Sequence, residues 1–178
     1  FYNGFCALSK VNFRATKGEF VSIVGLSGSG KTTLLNALAG FIPNLGQITI
    51  TGKVGVVFQD YTVFPWLTVS QNIAFGLNNI DRPLKDEIVQ YHLKLIGLEA
   101  DKNKYPAELS GGQVQRVGIA RALAPNPDVI LMDEPYGALD RYTRDKMQEW
   151  LLGIWATTQK TIIFVTHDIE EACFLSDR

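Results

Sequence analysis

One glycine-rich stretch limits what this chain can fold into more than any other part of the sequence. Residues 23–34 read IVGLSGSGKTTL, and they overlap an apolar run, Phe20 to Val24, with the composition of a buried strand. The pattern G-x-x-x-x-G-K-[ST] between a strand and a helix is typical of a loop that binds nucleotide phosphates. The eight matched positions and the correct flanks argue against a chance glycine-rich turn. The stretch therefore predicts that the chain binds a nucleoside triphosphate.

The residue types in this phosphate loop explain why it would bind phosphate. Glycines let successive backbone N–H groups turn towards phosphate oxygens, and the start of the following helix adds a partial positive charge. Lys31 can reach the β- and γ-phosphates, and the Thr32 hydroxyl can ligate Mg²⁺. The predicted nucleotide-binding residues of the loop are Gly25, Leu26, Ser27, Gly28, Ser29, Gly30, Lys31, Thr32 and Thr33.

Composition bounds the kind of protein. With 178 residues, 46% of them hydrophobic and 20% charged, the chain is long enough for one globular unit with a sizeable core. A net charge of −1 and the lack of a Lys/Arg run argue against a nucleic-acid partner. Cys6 and Cys173 lie far apart and indicate neither a disulfide framework nor a zinc site. No apolar run approaches the roughly 20 residues that span a bilayer, so a membrane role would need a partner.

Hydrophobic periodicity and capping signals predict strands that alternate with helices. The predicted strands are residues 8–13, 20–24, 47–51, 54–58, 129–132 and 161–165. The predicted helices are residues 33–39, 69–75, 84–95, 110–124 and 141–157, and a last one that Asp168 caps.

This alternation predicts a single α/β domain over residues 1–178. Residues 1–59 and 125–178 would form the nucleotide-binding core, with a mainly parallel sheet and an antiparallel β part near the N-terminus. Residues 60–124 would form an inserted helical subdomain. Within it, His92 has no second residue at a metal-ligand spacing, and we expect it on the solvated surface of its helix.

Polar residues follow several predicted strands, at the edge where open α/β sheets bind their ligands. The carboxylate of Asp133 suits Mg²⁺ opposite the Thr32 hydroxyl. Glu134 turns away from that metal position, and it can orient an attacking water or accept its proton. Gln59 offers a donor and an acceptor near the γ-phosphate or Mg²⁺, and His167 can donate to a γ-phosphate oxygen. Gln59 or His167 alone could equally be a structural cap, but the complete set favours function.

The stretch LSGGQ, residues 109–113, is a second candidate phosphate-binding surface. Ser110 and Gln113 form a capping-box pattern, which would by itself explain a helix start. The two central glycines are poor choices merely to begin a helix, whereas exposed amides at a helix N-terminus suit a phosphate. One chain cannot easily close a nucleotide between this stretch and its own phosphate loop, but two chains head to tail could. The sequence therefore predicts a symmetric dimer with nucleotide at the interface.

Taken together, these motifs resemble those of the nucleotide-binding subunit of ATP-binding-cassette (ABC) transporters, over essentially the whole chain. GLSGSGKT, Gln59, LSGGQ, VILMDEP, GALD and THD follow one another in the order of that family. LSGGQ together with a phosphate loop is highly specific. The resemblance implies a P-loop NTPase fold, ATP and Mg²⁺ as ligands, and ATP hydrolysis coupled to transport.

The resemblance also implies roles for single residues. The implied catalytic residues are Glu134, His167, Gln59 and Lys31, and the implied Mg²⁺ ligands are Thr32, Gln59 and Asp133. Ser110, Gly111, Gly112 and Gln113 would contact the ATP bound to the other subunit, and Asp140 would lie at the dimer interface. Counting back from Gly18, Tyr2 falls where the family places an aromatic residue that stacks on adenine, and Phe1 is an adjacent competitor.

Within the family, FPWLTVSQNIAFGL and DEPYGALDRYTRDKMQEWLLGIW are most similar to importers of the nitrate/sulfonate/taurine group. This implies a second copy or a homologous ATPase subunit as dimer partner, a transmembrane permease, and indirectly a solute-binding protein, with no nucleic acid. The chain would be a peripheral subunit at the cytoplasmic face of the inner membrane. The apolar-aromatic cluster of residues 64–67 would be either one edge of the groove that receives a permease helix or a minor core of the helical subdomain. The solute itself is not specified by the sequence.

The chain departs from the family pattern in three places, and three other protein classes compete with the transporter assignment. The segment between Gly52 and Gln59 is short, the family's first strand is missing, and further strands would follow Arg178, so we expect a domain truncated at both ends. An ABC-type ATPase of DNA repair or chromosome structure would carry a long coiled-coil or zinc-bearing insertion, but only 78 positions separate Lys31 from Leu109. A P-loop kinase has no use for LSGGQ, and a regulatory module without hydrolysis would lack the catalytic carboxylate or histidine.

Overall fold

In the described residues, a parallel sheet of four strands forms the centre of the structure. The computed structural model describes residues 7–59 and 63–178. The strands are β1 (Phe20–Val24), β2 (Val54–Val57), β3 (Val129–Asp133) and β4 (Thr161–Thr166), in the order β1-β4-β3-β2. Val24 lies opposite Thr166, and Asp133 lies opposite Val165. The strands therefore end at one edge of the sheet.

Helices connect the strands and pack on them. Their bounds are α1 (Lys31–Leu38), α2 (Val69–Ala74), α3 (Arg82–Ile96), α4 (Gly111–Leu123), α5 (Arg141–Thr158) and α6 (Ile169–Leu175). Thr68 and Ser110 begin α2 and α4 with complete capping boxes, and Asp140 and Asp168 cap α5 and α6. Gly97 ends α3 at φ +67°, a left-handed conformation that glycine adopts without strain. Among these described helices, none is long and apolar enough to cross a membrane.

The sheet is buried on both faces, which explains why its strands are almost wholly apolar. On one face, Phe20 and Phe164 pack with residues of α4, α5 and α6. On the other face, Leu131 and Val165 pack against Leu35 of α1. The α/β fold with a mainly parallel sheet is thus confirmed.

A third hydrophobic cluster consists of buried residues between Val63 and Ala124. It joins α2, α3 and α4, and the partly buried Trp150 of α5 packs against it. α4 contributes Val117 to this cluster, and it contributes Ile119 to the sheet-face cluster that contains Phe20 and Phe164. Because α4 serves both clusters, it connects the helices of this segment to the sheet.

The antiparallel β part predicted near the N-terminus is not formed in the described residues, where every strand pair is parallel. Residues 8–13 and 47–51, predicted as strands from their alternation, are irregular. Val11 is 49%, Phe13 38% and Ile48 37% exposed, so the alternation buries no face. An alternating segment becomes a strand only when a neighbouring strand is available to pair with it.

The prediction that His92 lies on a solvated surface is wrong. Its side chain is 8% exposed, and Nδ1 lies 2.8 Å from the carbonyl oxygen of Ile88, one turn earlier in α3. Because a carbonyl can only accept, Nδ1 carries the proton and donates it. Burial lowers the pKa of His92, which favours the neutral ring. The imidazole is therefore buried on the face of α3 that packs inward, rather than solvated.

Candidate active site

The carboxyl edge of the sheet brings most of the predicted site residues together. β1 leads into the phosphate loop, β3 ends at Asp133 just before Glu134, and β4 ends just before His167. β1 and β3 are the two neighbours of β4, so these three strand ends are adjacent. Open parallel sheets bind their ligands at this edge. The motifs that lie far apart in the sequence thus meet in one place.

The phosphate loop leaves the start of α1 open to a ligand. Gly30, just before the helix, has φ +93°, and no side chain caps the helix. A Cβ on Gly30 would lie 2.9 Å from Leu8 Cδ2 and 3.0 Å from the carbonyl oxygen of Ala7, so this position requires glycine. The first turn of α1 contains no acidic residue. The unpaired N–H groups and the positive end of the helix dipole suit a phosphate.

Lys31 folds back over the phosphate loop. Its side chain is 7% exposed, and Nζ donates to the carbonyl oxygens of Gly25 at 2.7 Å and Leu26 at 3.0 Å. Nζ also lies 3.5 Å from Oε1 of Glu134. Residues 26–29 form the exposed tip of the loop. The ammonium group is therefore held beside the open helix start, where phosphate oxygens would enter.

Thr32 and Asp133 meet between α1 and β3. Asp133 is 6% exposed, and the Thr32 side chain hydrogen-bonds to its carboxyl group. Burial, and less strongly the charge of Glu134, raise the pKa of Asp133, whereas Thr32 and Lys31 oppose this rise. Oδ1 of Asp133 is buried without a hydrogen-bond partner in the described part of the chain. A buried acceptor of this kind suits a cation ligand.

Glu134 and His167 form a hydrogen-bonded pair beside Lys31. Oε2 of Glu134 lies 2.9 Å from Nδ1 of His167, while Oε1 faces Lys31. Since a carboxylate oxygen accepts, Nδ1 donates its proton to this bond, and no hydrogen bond joins Nε2 to another described residue. The ring itself is 61% exposed. Glu134 has φ +41°, which costs a non-glycine residue about 1–2 kcal/mol, and such strain clusters at functional sites.

Gln59 lies at the margin of this cluster. It is exposed and follows β2, the edge strand that pairs with β3. No hydrogen bond joins its side chain to another described residue. The predicted adenine-stacking residue Tyr2 and its competitor Phe1 lie outside the described residues.

The LSGGQ stretch begins α4, and within the described residues no hydrogen bond or ion pair joins it to the phosphate loop. Ser110 Oγ accepts from the Gln113 N–H at 3.3 Å, and Gln113 Oε1 accepts from the Ser110 N–H at 2.9 Å. A Cβ on the buried Gly112 would lie 3.0 Å from Cγ2 of Thr143. Asp140 accepts from the N–H and the hydroxyl of Thr143, at 3.0 and 2.6 Å, and these bonds lower its pKa. Thr143 therefore links the two stretches predicted to face a second subunit.

The side chains that hold the segment around His167 were not predicted from the sequence. Glu171 is 5% exposed, and it accepts from the Thr166 hydroxyl at 2.5 Å and from the Gln148 amide at 3.1 Å. The pattern from Asp168 to Glu171 predicted only a helix cap, which Asp168 does provide. A glutamate four residues after a site histidine, one helical turn later, was the available signal. Its partner on α5 could not be found from spacing along the chain.

Comparisons with known proteins agree with this site. A family model described as ABC transporter matches residues 8–137. The taurine import ATP-binding protein TauB of Escherichia coli is 48% identical, over 98% of this chain and 73% of its own length. The aliphatic sulfonates import ATP-binding protein SsuB of Bacillus cereus is 47% identical, over 96% of this chain and 71% of its own length.

The structure is likewise similar to a solved ATP-binding cassette, a dimer in a post-hydrolysis state bound to ADP and phosphate. The TM-score is 0.81 at 38% sequence identity, and the match covers 94% of this chain and 83% of the solved one. Family model, sequence relatives and solved structure all point to the same kind of protein. The chain belongs to the ABC transporter family, in which it is an ATP-binding subunit that hydrolyses ATP.

Proposed function

We propose that this subunit drives the import of taurine or a related sulfonate by closing as a head-to-tail dimer around ATP and Mg²⁺. Support for the solute class comes from the relatives, whose names specify import of taurine and of aliphatic sulfonates. The observation that carries the mechanism is the contact of one carboxylate, Glu134, with both Lys31 and His167. It joins a phosphate-binding cation, a base and an imidazole at the sheet edge.

In this proposal Glu134 orients the attacking water and accepts its proton. Its two oxygens are held by Lys31 and His167, so the carboxylate has a defined position before ATP arrives. An incoming γ-phosphate would take over the Lys31 ammonium from the carbonyl groups of Gly25 and Leu26. His167 would donate to a γ-phosphate oxygen from Nε2 as the doubly protonated ring, with Nδ1 still bonded to Glu134. A positioned base of this kind contributes about 10²–10⁴-fold to a rate.

Thr32 and Asp133 are the proposed Mg²⁺ ligands, and Gln59 is a further candidate. The fit rests on the donor set, since hydroxyl, carboxylate and amide oxygens suit a hard cation. It rests equally on Asp133 Oδ1, which is buried without a hydrogen-bond partner among the described residues. When bound, Mg²⁺ would neutralise charge on the phosphates during transfer.

Ser110–Gln113 and Asp140 are proposed to meet the ATP and the phosphate loop of a second subunit. Ser110, Gly111 and Asp140 are exposed, so a partner can reach them. The similar solved cassette is a dimer. The partner would be a second copy or a homologous ATPase subunit, and adenine would stack on Tyr2.

The helical subdomain, residues 60–124, is proposed to contact a permease at the cytoplasmic face of the inner membrane, with the solute-binding protein acting through that permease. The ring of Phe64 lies 5.4 Å from Trp66 and 4.4 Å from Phe75, between ring centroids. Arg121 lies 4.9 Å above the Phe64 ring. Trp66 is 69% and Phe75 55% exposed, which favours the edge of a docking groove over a minor core.

The mechanism is tested with Glu134→Gln, assayed for ATP turnover with Mg²⁺ and for dimerisation by light scattering. We expect turnover to fall at least about 100-fold, because the amide cannot accept a proton. ATP should then hold the variant as a dimer. The matched control is Glu149→Gln, which makes the same change at an exposed residue of α5 and should behave as wild type.

Turnover that survives in Glu134→Gln would remove Glu134 from the proposed role. The solute is tested separately, by restoring growth on taurine as sulfur source to cells that lack their own taurine ATPase subunit. Growth on other sulfur sources is the control. No growth on taurine, from a subunit that is made and turns over ATP, would contradict the solute class alone.

A further inference from the structure

The segment that contains His167 is held on both sides by one helix, α5. Among the described residues, His167 itself has a single hydrogen-bonded contact, with Glu134. The residues before and after it, Thr166 and Asp168, are each connected to an α5 side chain. These α5 side chains are Arg144 and Gln148, four residues apart and therefore on one face of the helix.

Arg144 connects the segment before α5 to the segment after His167. Nη2 of Arg144 donates to the carbonyl oxygen of Leu139 at 3.2 Å, and Nη1 lies 3.7 Å from Oδ2 of Asp168. Asp168 also begins α6 by accepting from the N–H of Glu171 at 3.2 Å. The guanidinium therefore spans two loops that follow different strands, β3 and β4.

The unpaired Nε of Arg144 indicates that its contacts with Leu139 and Asp168 determine where the guanidinium lies. Nε of Arg144 is buried without a hydrogen-bond partner in residues 7–59 and 63–178. A buried donor left unpaired is unfavourable, because it has lost its hydrogen bonds to water. An arginine that only needed to remain solvated would avoid this cost, because its long side chain can extend into water.

The second connection runs through a buried carboxylate. Gln148 donates to Oε1 of Glu171, and the Thr166 hydroxyl donates to Oε2. The same Thr166 hydroxyl accepts from the Asp168 N–H at 3.0 Å. Glu171, Thr166 and Gln148 are all buried. This buried network anchors the end of β4, and Arg144 adds an ion pair from α5 to Asp168.

The N-terminal turn of α5, which contains Arg144, also contacts the surfaces proposed to face the second subunit. Asp140 caps the helix through Thr143, and Gly112 of the LSGGQ stretch packs against Thr143. Arg144 follows Thr143 directly and holds Leu139, the neighbour of Asp140. A movement of the Leu139–Asp140 backbone therefore acts on Arg144 and, through Asp168, on His167.

We propose that Arg144 is a positioning residue for ATP hydrolysis: it transmits the position of the Leu139–Asp140 segment to His167 and so sets the His167–Glu134 contact. The inference rests on the proposed role of His167 in hydrolysis. It adds a defined route, inside one chain, from the face that would meet a second subunit to the hydrolytic pair.

The test compares Arg144→Met with Lys146→Met. The first change keeps an unbranched side chain and removes the charge and the donors of Arg144. The second removes one positive charge from the same helix at an exposed residue, whose ammonium lies over the Tyr142 ring at 4.2 Å. Arg144→Lys, which returns the charge and fewer donors, is the conservative variant.

The direct readout is the ¹⁵N spectrum of the His167 ring at alkaline pH. The chain contains two histidines, so the signals missing from His167→Gln identify His167. In the wild type the bond to Glu134 requires the proton on Nδ1. We expect Arg144→Met to shift the ring towards the Nε2–H tautomer, Arg144→Lys to lie in between, and Lys146→Met to match the wild type.

The second readout is ATP turnover. We expect Arg144→Met to lower kcat about ten- to hundredfold, because small misplacements of a catalytic group have effects of that size. KM for ATP should stay within about twofold, because the residue does not bind the nucleotide. Should Arg144→Met fail to fold, Asp168→Asn replaces it, since asparagine keeps the helix cap and loses the ion pair.

A wild-type His167 spectrum in the Arg144 variant, or a raised KM with unchanged kcat, overturns the inference. His167→Gln separates this failure from failure of the proposed function. If that variant keeps wild-type turnover, the role of His167 falls and the inference falls with it. If it loses turnover while Arg144→Met keeps both the spectrum and the rate, only the inference is overturned.

Discussion

α1 and α4 both begin at glycine-containing stretches, and their N-termini are completed in opposite ways. α1 follows Gly30 and has neither a side-chain cap nor an acidic residue in its first turn. α4 follows Ser110, which forms a complete capping box with Gln113. The first N–H groups of any helix have no partner within the helix and need a cap, water or a ligand. α1 leaves this place to a ligand, whereas α4 fills part of it with its own side chains.

The residues around the start of α1 also suit a ligand, whereas those around the start of α4 belong to another helix. α1 begins at the sheet edge, with Lys31 and Glu134 in contact beside it. α4 begins against Thr143 of α5, and no hydrogen bond or ion pair joins its start to the phosphate loop among the described residues. In our proposal the first site is therefore built within one chain, and the second becomes a phosphate site only when a partner supplies the rest.

The largest effect expected for this comparison is that of Lys31→Met on nucleotide affinity. The change removes the ammonium next to the open start of α1, and a hydrogen bond to a charged group is worth about 2 kcal/mol. The dissociation constant for ATP should rise about thirtyfold, measured by titration calorimetry. Lys102→Met, on an exposed loop, is the control. Equal affinities of Lys31→Met and wild type would break the assignment of the phosphate site to α1.

Next in size is the effect of Gly30→Ala on stability. The change forces φ +93° on an alanine and brings its Cβ to 2.9 Å from Leu8 Cδ2, so we expect a loss of about 1–3 kcal/mol. Gly118→Ala is the contrast in α4: its Cβ would lie 3.9 Å from Val63, and alanine should stabilise the helix by about 0.5–1 kcal/mol. Thermal unfolding of both variants measures these opposite signs. A neutral Gly30→Ala would show that the left-handed turn is not needed.

The smallest effect is that of Ser110→Ala, which removes the cap of α4. We expect a loss of about 1 kcal/mol, or about 2–4 °C in Tm. Thr68→Ala removes the same capping box from α2 and should cost about the same. Only Ser110→Ala should also weaken ATP-dependent dimerisation, measured by light scattering. If dimerisation is equal in the two variants, the Ser110 hydroxyl acts as a cap and nothing more.

Local signals were sufficient to predict most of the elements. β1, predicted over residues 20–24, is confirmed at both ends, and α3, predicted over residues 84–95, occupies Arg82–Ile96. Capping residues and hydrophobic periodicity act within a few residues of the chain, so they can be read without knowing the fold. Segments 8–13 and 47–51 were predicted wrongly, because a strand depends on a pairing partner elsewhere.

The prediction for His92 failed for a related reason. A polar residue type at a helical position suggests a solvated face, but the ring of histidine packs well once one nitrogen finds a carbonyl group. Ile88, one turn earlier, supplies that carbonyl. Which face of α3 is buried depends on α2 and α4, which pack against it.

The sequence by itself determined the nucleotide chemistry of this protein, because the phosphate loop, LSGGQ and the residues after the strands are contiguous motifs. Only the tertiary structure decided that Glu134 lies between Lys31 and His167, and that Arg144 spans the loops on either side. These contacts depend on the strand order β1-β4-β3-β2 and on the packing of α5. The physical reason is distance along the chain: long-range contacts depend on how whole elements pack, which residue spacing does not record.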